Sequence, residues 1–531
     1  MGFHPRNQIP NCRGSHKLRL HPWYPRRIWT LRRDQLRNSA KIHTWLSDQS
    51  FDTAFNHSKY RMCVNVKMSS TLDQEKLRKA EKPVISAERA VQLAKELYGL
   101  DVVAGSLKEL DSYDDRNFYL RATHARPDAL SDSRDCNGTR DGQVQHFVLK
   151  IHNGVESLDP AFIECQNLAM ICVRRGASCW SPRALPSVHG ETIARATAPL
   201  ASGIEREHAV RLLPFRPSGL FADVPLTLTL LRNLGTATAR LSASLADFDH
   251  PAAHREHVWD LAHAPNVRPL LVHAPAERHA LLAGVLDEFE SSVRPLAPQL
   301  RKAAIHGDVN DQNVLVDASG TQVLGIIDFG DMTYSWLVNE IAIATAYALI
   351  SLHYSARTAG PAGPAALSDL EVAIAMTSSY AAEMTALGQR GLTVAEWAVL
   401  PTLIACRITV SLIVGAYSSA QDPANEYLKL TQLPGWEALK RLRAVPASEL
   451  AAQLNAAAAL PSTPFRQPPH WKKNDEDTVV DLHTLGNRAY LEHFGVQAKL
   501  SRAIATVLKE RPANPLLAVA ELLSPLLNKS K

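Results

Sequence analysis

The sequence predicts an α+β fold, with strand-like runs ahead of long helical stretches and a short helical hairpin at the C-terminal end. Three observations predict it. Short apolar, strand-like runs cluster at residues 118–121 and 147–151. Residues 304–331 read as strand, acidic loop, hairpin and acidic loop. Ala-rich stretches with helical periodicity run over residues 339–387 and 394–417. A length of 531 residues suits two or three domains, and 46 % hydrophobic residues suit a folded core.

The most informative stretch is AIHGDVNDQNVLVDASGTQVLGIIDFGD, residues 304–331. Apolar runs 313–316 and 323–327 flank the turn Asp317-Ala318-Ser319-Gly320, which marks a hairpin. That hairpin should bring Asp308, Asn313 and Asp328 to one end of the same sheet. Two carboxylates and a side-chain amide converging there make an oxygen site for Mg²⁺, with one carboxylate left to act as a base. Phosphoryl transfer asks for this set, because its catalysis is mostly positioning and charge neutralisation. The plain alternative is two ordinary polar turns around a buried hairpin.

The pattern H-G-D-x-x-x-x-N…I-D-F-G-D resembles the catalytic and metal-binding loops of the kinase-like aminoglycoside phosphotransferase and choline kinase superfamily. Protein kinases carry an Arg before the catalytic Asp and a D-F-G without a second acid. Here Gly307 precedes Asp308 and Asp331 follows Gly330, which favours a small-molecule kinase. The resemblance implies the two-lobed protein-kinase-like fold, with a small β-rich lobe and a larger helical lobe.

Such a fold needs a nucleotide lobe upstream. Phe147-Val148-Leu149-Lys150-Ile151 is an apolar strand with one lysine inside it. An amine buried there is costly unless a phosphate or carboxylate meets it. Glu164, fourteen residues later in the helical stretch 161–173, is the expected ion-pair partner. A solvent-facing lysine on an edge strand is the alternative. Further upstream, the polar turn 110–117 occupies the place of a phosphate-covering hairpin without a G-x-G-x-x-G sequence. Its N–H groups and Ser112 are candidates to cradle phosphate.

Taken together, SYDDRNFYL, FVLKIHN, AFIECQN, HAVRLLPF, HGDVNDQNVLV, GIIDFGDM, ACRITVSLIVGAYS and NEYLKLT resemble the hydroxylysine kinase family over roughly residues 80–455. The resemblance implies transfer of a phosphoryl group from GTP (or ATP) to a hydroxy-amino acid, 5-hydroxy-L-lysine foremost, in lysine and hydroxylysine catabolism. By it, Asp308 accepts the substrate's proton and Asn313 and Asp328 hold Mg²⁺. Lys150 grips the nucleotide phosphates and Glu164 orients Lys150. Residues 124–145, rich in Asp, Arg, Ser and Gly, depart from the pattern and read as an enlarged hairpin loop. The acceptor-binding residues are open: Arg407, Tyr417, Asn425 and Tyr427 serve equally well as substrate contacts or as packing and capping residues.

The net charge of +5 misleads. Residues 1–67 hold thirteen Lys/Arg against three acids, so the remaining chain is net acidic, 45 against 50. No direct nucleic-acid binding is expected of that remainder. Three readings of the basic stretch stand open: a mitochondrial-type presequence, a nucleic-acid-binding arm, and an extension of the reading frame upstream of Met68. Seven cysteines show no metal-ligand pairing, and Cys165, Cys172 and Cys179 suit buried thiols in a reducing compartment. No apolar run is long and clean enough to span a bilayer, residues 341–352 being too short, so no membrane partner is expected.

The kinase domain is expected over residues 68–460, followed by a Pro-rich, charged linker over 461–478. Residues 479–531 carry two apolar helical stripes. One comprises Val496, Leu500, Ile504, Val507 and Leu508, the other Leu516, Val519, Leu522 and Leu523. Two such short helices cannot bury these stripes alone and should pair with a second copy as a four-helix bundle. The segment resembles the dumpy-thirty docking-and-dimerisation family. That likeness implies a homodimer whose groove receives an amphipathic helix of a partner protein. Ala518 and Val519 stand where that family has Phe-Leu. A hairpin packed on the kinase lobe is the alternative. Two function classes follow: a small-molecule kinase, or an adaptor acting through the C-terminal motif with the kinase fused or passive. The compartment expected is cytoplasmic, with nuclear or mitochondrial placement tied to the C-terminal motif and the basic stretch respectively.

Overall fold

The computed structural model describes residues 71–124, 144–176, 179–358, 367–421 and 431–459. The basic stretch, most of the 124–145 loop, the linker and the C-terminal hairpin lie outside the described residues. Those described all belong to one compact unit, Lys67–Lys531.

Helix α1 (Thr71–Ala80) and helix α2 (Ala87–Tyr98) lead into the small lobe. Helix α2 starts where Ser86 accepts the Arg89 N–H and stops at Gly99, whose φ of +63° suits a residue without a side chain. Strands β1 (Leu100–Val102), β2 (Lys108–Leu110), β3 (Arg116–His124) and β4 (Gln145–Ile151) follow. Helices α3 (Gly154–Ser157) and α4 (Pro160–Arg175) precede strands β5 (Ala194–Pro199) and β6 (Glu205–Pro214). These strands form one sheet in the order β1-β3-β4-β6-β5, with β2 paired to β3. Strand β4 is therefore interior, and Lys150 sits opposite Asn117 on one side and Arg211 on the other. Alternate residues Phe147, Leu149 and Ile151 join Phe118, Leu120, Val210, Leu212 and Tyr98 in the lobe's core. Tyr98 ties helix α2 to that sheet by donating its hydroxyl to the Val210 carbonyl at 2.9 Å.

The helical lobe begins with strand β7 (Gly219–Leu220) and helix α5 (Leu228–Ser244), then runs through short 3₁₀ turns to helix α6 (His279–Glu288). Four short strands follow: β8 (Lys302–Ile305), β9 (Val314–Val316), β10 (Val323–Ile326) and β11 (Thr333–Trp336). The expected hairpin is present as β9–β10, closed by Asp317, whose carboxylate accepts the N–H groups of Thr321 and Gln322. The expectation of a single sheet is corrected. Strand β8 pairs with β11, so Asp308 follows a two-stranded ribbon, while Asn313 and Asp328 flank strands β9 and β10 of the three-stranded β10-β9-β7 sheet. The acidic loops meet because they join these two small sheets.

Helices α7 (Val338–Thr358), α8 (Asp369–Ala386), α9 (Val394–Gln421), α10 (Gln432–Leu442) and α11 (Ala447–Ala459) complete the lobe. Helices α5 and α8 cross so closely that a Cβ at Gly235 would lie 2.3 Å from the Met376 carbonyl. Helix α9 corrects the apolar-run reading, because by length and composition it could cross a membrane. Yet 89 % of its most apolar window is buried inside the protein. Its charged residues are met there: Glu396 by Arg301 at 2.6 Å and Arg407 by Asp308 at 2.7 Å. It is a core helix.

Candidate active site

His306, Gly307 and Asp308 follow strand β8 directly. The Glu340 carboxylate, wholly buried at the start of helix α7, accepts the N–H of His306 at 2.6 Å and of Gly307 at 3.2 Å. His306 in turn accepts the Asp308 N–H on Nδ1 at 3.2 Å and donates from Nε2 to the Ile327 carbonyl. Gly307 has φ +76°, and a Cβ there would stand 2.8 Å from the Asp331 carbonyl. Any other residue would force the two acidic loops apart.

The Asp308 carboxylate is fixed from both sides. Its Oδ1 accepts from Arg407 Nη2 at 2.7 Å, and its Oδ2 accepts from the side-chain amides of Asn310 and Asn313, each at 2.9 Å. Burial pushes its pKa up to about 6, against the pull of Arg407 and with the push of Asp328. A carboxylate poised there can take a hydrogen bond or a proton from a hydroxyl near neutral pH. Arg407 itself is held by the Trp259 carbonyl at 3.1 Å and by the faces of the Trp259 and Tyr347 rings.

Asn313 uses its amide N–H groups on Asp308, and its Oδ1 accepts nothing among the described residues. Its carbonyl accepts the Ile327 N–H at 3.0 Å, which places it beside Asp328. Asp328 has φ 62°, the one non-glycine residue with positive φ among those described. Such a conformation costs about 1–2 kcal/mol and persists only where the surroundings impose it. Its side chain is 45 % exposed and lies 3.4 Å from Lys150 Nζ. A half-exposed carboxylate and an unused amide oxygen fit a hard, oxygen-seeking cation.

Lys150 points inward and is nearly buried, as expected of an interior strand. Its partner corrects the expectation. Phe162, Ile163, Cys165, Gln166, Asn167, Ala169, Met170 and Val173 turn the inner face of helix α4 to the core. Glu164 therefore faces solvent with Leu168, four residues on. Asp115 meets Lys150 instead, at 2.9 Å, from the end of the polar turn. Its other oxygen accepts the Asn153 backbone and side-chain N–H groups at 2.8 and 3.1 Å. Burial opposes the charge of Asp115, but Lys150 and His152 outweigh it and hold the carboxyl well below the usual range. Burial likewise opposes the lysine charge, and Asp115 and Asp328 restore it.

Behind this pair, Arg211 donates to His152 Nε2 at 3.0 Å, so His152 donates from Nδ1 to Glu156 at 2.7 Å. The Glu156 carboxylate also meets Arg78 at 3.0 Å. Asp115, His152 and Glu156 come close enough to surround a cation. Their ligand atoms already face Lys150, Arg211 and Arg78, so the cluster is an ion-pair network. Ser112 caps its own turn, its Oγ accepting the Asp115 N–H at 3.2 Å. Its carbonyl accepts from Lys82 at 3.0 Å. The turn borders a cavity of about 330 Å³, lined by Lys82, Ser112, Asp115 and Arg116 among others.

Two further contacts join the lobes. The Tyr113 hydroxyl lies 2.5 Å from Ser418 Oγ on helix α9, and its ring meets Trp259 edge-on at 6.3 Å. Beyond Asp328, Arg255 donates to the Gly330 carbonyl at 2.8 Å and the Met332 carbonyl at 3.3 Å. Asp331, between them, has its carboxyl pushed up to about 7, first by burial and then by Asp308. Of the acceptor candidates, Arg407 borders Asp308, whereas Tyr417 packs on His273 at 5.1 Å. Asn425 and Tyr427 lie outside the described residues. Asp115, Glu340 and Asp331 carried no sequence reading as site residues. The tandem acids Asp114-Asp115 and the second acid of I-D-F-G-D were the signals available.

Residues 107–366 match the model of the phosphotransferase enzyme family. Hydroxylysine kinase of Xenopus laevis is 30 % identical over 378 residues, 68 % of this chain and 90 % of that protein. The Mus musculus hydroxylysine kinase is 30 % identical over 375 residues, again 68 % and 90 %. Among solved structures, an amicoumacin kinase in complex with AMP-PNP, Ca²⁺ and its ligand aligns at 14 % identity and TM-score 0.48, covering 71 % of this chain and 97 % of that one. A microcompartment-associated aminopropanol kinase aligns at 19 % identity and TM-score 0.46, covering 71 % and 99 %. The sequence likeness covers 90 % of each of the two relatives, and the family match over residues 107–366 contains Ser112, Lys150, Asp308, Asn313 and Asp328. The chain therefore belongs to the hydroxylysine kinase family of the phosphotransferase enzymes and is a phosphotransferase with an alcohol group as acceptor.

Proposed function

We propose that the chain transfers the γ-phosphoryl group of GTP (or ATP) to the hydroxyl of a hydroxy-amino acid, 5-hydroxy-L-lysine foremost, in lysine and hydroxylysine breakdown. The observation that carries the phosphotransfer half is the approach of Lys150 to Asp328, 3.4 Å across the lobes, with Asp308 and Asn313 on the adjoining loop. The relatives support the acceptor. In this scheme Asp308 receives the acceptor's hydroxyl hydrogen, and Lys150, charged and oriented by Asp115, grips the donor's phosphates. Asn313 and Asp328 would hold Mg²⁺, which neutralises charge on those phosphates when bound. Ser112 and the turn it caps cover the phosphates. The deciding experiment is a panel of amino alcohols and hydroxy-amino acids assayed with both nucleotides. Turnover of 5-hydroxylysine well above that of simple amino alcohols supports the proposal, and its absence with either nucleotide overturns the acceptor assignment.

The homodimer and its partner-helix groove in residues 479–531 belong to the same proposal on sequence grounds alone. The free thiols Cys165, Cys172, Cys179 and Cys406 support the reducing, cytoplasmic compartment. No feature of the described residues favours the adaptor reading.

A further inference from the structure

We propose that Arg78, with Lys79 and Lys82 beside it, is a positioning residue for nucleotide binding that holds the polar turn 110–117 over the phosphates; this rests on the reading above that the turn covers them. The composition of the turn poses a difficulty for that task. It has no glycine, and no residue in it takes a positive φ. It also carries three acids, Asp111, Asp114 and Asp115, on the side where phosphates would lie. A glycine-rich loop meets phosphate with bare N–H groups. This turn needs its acids neutralised and its backbone held from outside.

The structure supplies both. Asp115 is met by Lys150 at 2.9 Å. Asp114, nearly buried, accepts from Arg78 Nε at 2.5 Å. Burial pushes the Asp114 carboxyl up to about 7, and the Arg78 charge opposes that rise. Arg78 also reaches Glu156 with Nη2 at 3.0 Å, so one guanidinium ties the turn to helix α3. Two more contacts follow along the chain. Lys79 Nζ lies 4.2 Å from the centroid of the Tyr113 ring, and Lys82 Nζ donates to the Ser112 carbonyl at 3.0 Å. Three cations between Arg78 and Lys82 thus grip three consecutive residues of the turn.

The segment that carries these cations is itself anchored. The Glu81 carbonyl accepts the Gly154 N–H at 2.8 Å, and the Val84 N–H donates to the Pro199 carbonyl at 2.8 Å. The Pro83 carbonyl accepts from Arg116 Nε at 3.1 Å. A Cβ at Gly154 would stand 2.2 Å from the Glu81 carboxylate, so the segment lies directly against the start of helix α3. On the other side, the Tyr113 hydroxyl lies 2.5 Å from Ser418 Oγ on helix α9. The turn is therefore clamped between the end of helix α1 and the helical lobe. The competing account limits the same cations to neutralising buried acids for stability.

The test follows the kinetics of the full-length enzyme with GTP, ATP and 5-hydroxylysine, together with amide hydrogen exchange across residues 110–117. Arg78→Ala should speed exchange there and raise the nucleotide KM by roughly 10- to 100-fold, the scale of about 1 Å of misplacement, with the acceptor KM within about twofold. Arg78→Lys, which keeps the charge, should recover part of the loss. Lys82→Met removes the hold on the Ser112 carbonyl and spares the buried acids. It should show the same signature, smaller, even where Arg78→Ala does not fold. Unchanged exchange and nucleotide KM in these variants, or equal rises in both KM values, would overturn the clamp and leave the phosphotransfer reading standing. Faster exchange with an unchanged nucleotide KM removes the turn from phosphate covering, and the proposal with it. A wild type that phosphorylates no hydroxy-amino acid with either nucleotide removes the proposed function itself.

Discussion

Glu340 accepts the N–H groups of both His306 and Gly307 on its two carboxylate oxygens, and through them carries the backbone that presents Asp308. The carboxyl has no exposed surface, and burial pushes its pKa up to about 7. Helix α7 and the loop after strand β8 are thus joined at the point where the chemistry is mounted. Glu340→Ala would strand two buried donors at about 1–3 kcal/mol each. The expected result is a Tm lower by about 5–10 °C and reduced turnover. Glu340→Gln keeps one acceptor oxygen and should fall between. Thermal melts and kcat check this, and a melt unchanged in Glu340→Ala would remove Glu340 from the support of the loop.

Asp308→Asn should preserve the fold and nucleotide affinity while lowering turnover by roughly 10²–10⁴, the range for a positioned base. Asp328→Ala should abolish Mg²⁺-dependent nucleotide binding, because it removes the charged cation ligand. Steady-state kinetics and nucleotide titrations separate the two effects. Near-normal turnover in Asp308→Asn would sink the base assignment.

The acid limb of turnover follows from the same carboxyl. Asp308 must be ionised to accept a proton, and burial places its pKa at about 6. Turnover should therefore fall as pH drops through about 6, rather than near the ordinary value of about 3.9. A bound cation would move the limb downward only, because positive charge favours the ionised form. A limb above pH 7 in a kcat profile would contradict this.

The corrected pairing of Lys150 has its own signature. Lys150→Ala should raise the nucleotide KM and reduce kcat. Asp115→Asn should act in the same direction, because it removes the 2.9 Å partner. Glu164→Gln, on the outer face of helix α4, should leave both parameters within about twofold. A strong effect at Glu164 with none at Asp115 would reinstate the helix glutamate.

The proposed C-terminal module is tested by separation. Residues 478–531 expressed alone should be helical and dimeric, since helices this short are unstable unless paired. Ile504→Asp should break the dimer and leave kinase activity intact. A monomeric, unfolded fragment in light scattering and circular dichroism would end the module reading.

Local pattern alone determined a good deal of this protein. The β9–β10 hairpin, the lysine within strand β4 and the helices of the larger lobe all follow from short-range spacing and alternation. Each needs only neighbours a few residues apart, and turn chemistry and period are written at that scale. Partner choice is not. Lys150 meets Asp115 because strands β3 and β4 pair in a register that sets Asn117 opposite it, and because the rotation of helix α4 turns Glu164 away. Likewise Glu340 reaches His306, Arg407 reaches Asp308, and Arg255 frames Asp331 across separations of 34, 99 and about 76 residues. Those contacts depend on how helices α7 and α9 and the loop after α5 pack around two small sheets. Packing is decided by the fit of whole surfaces, so only the tertiary structure could decide which buried charges are paired.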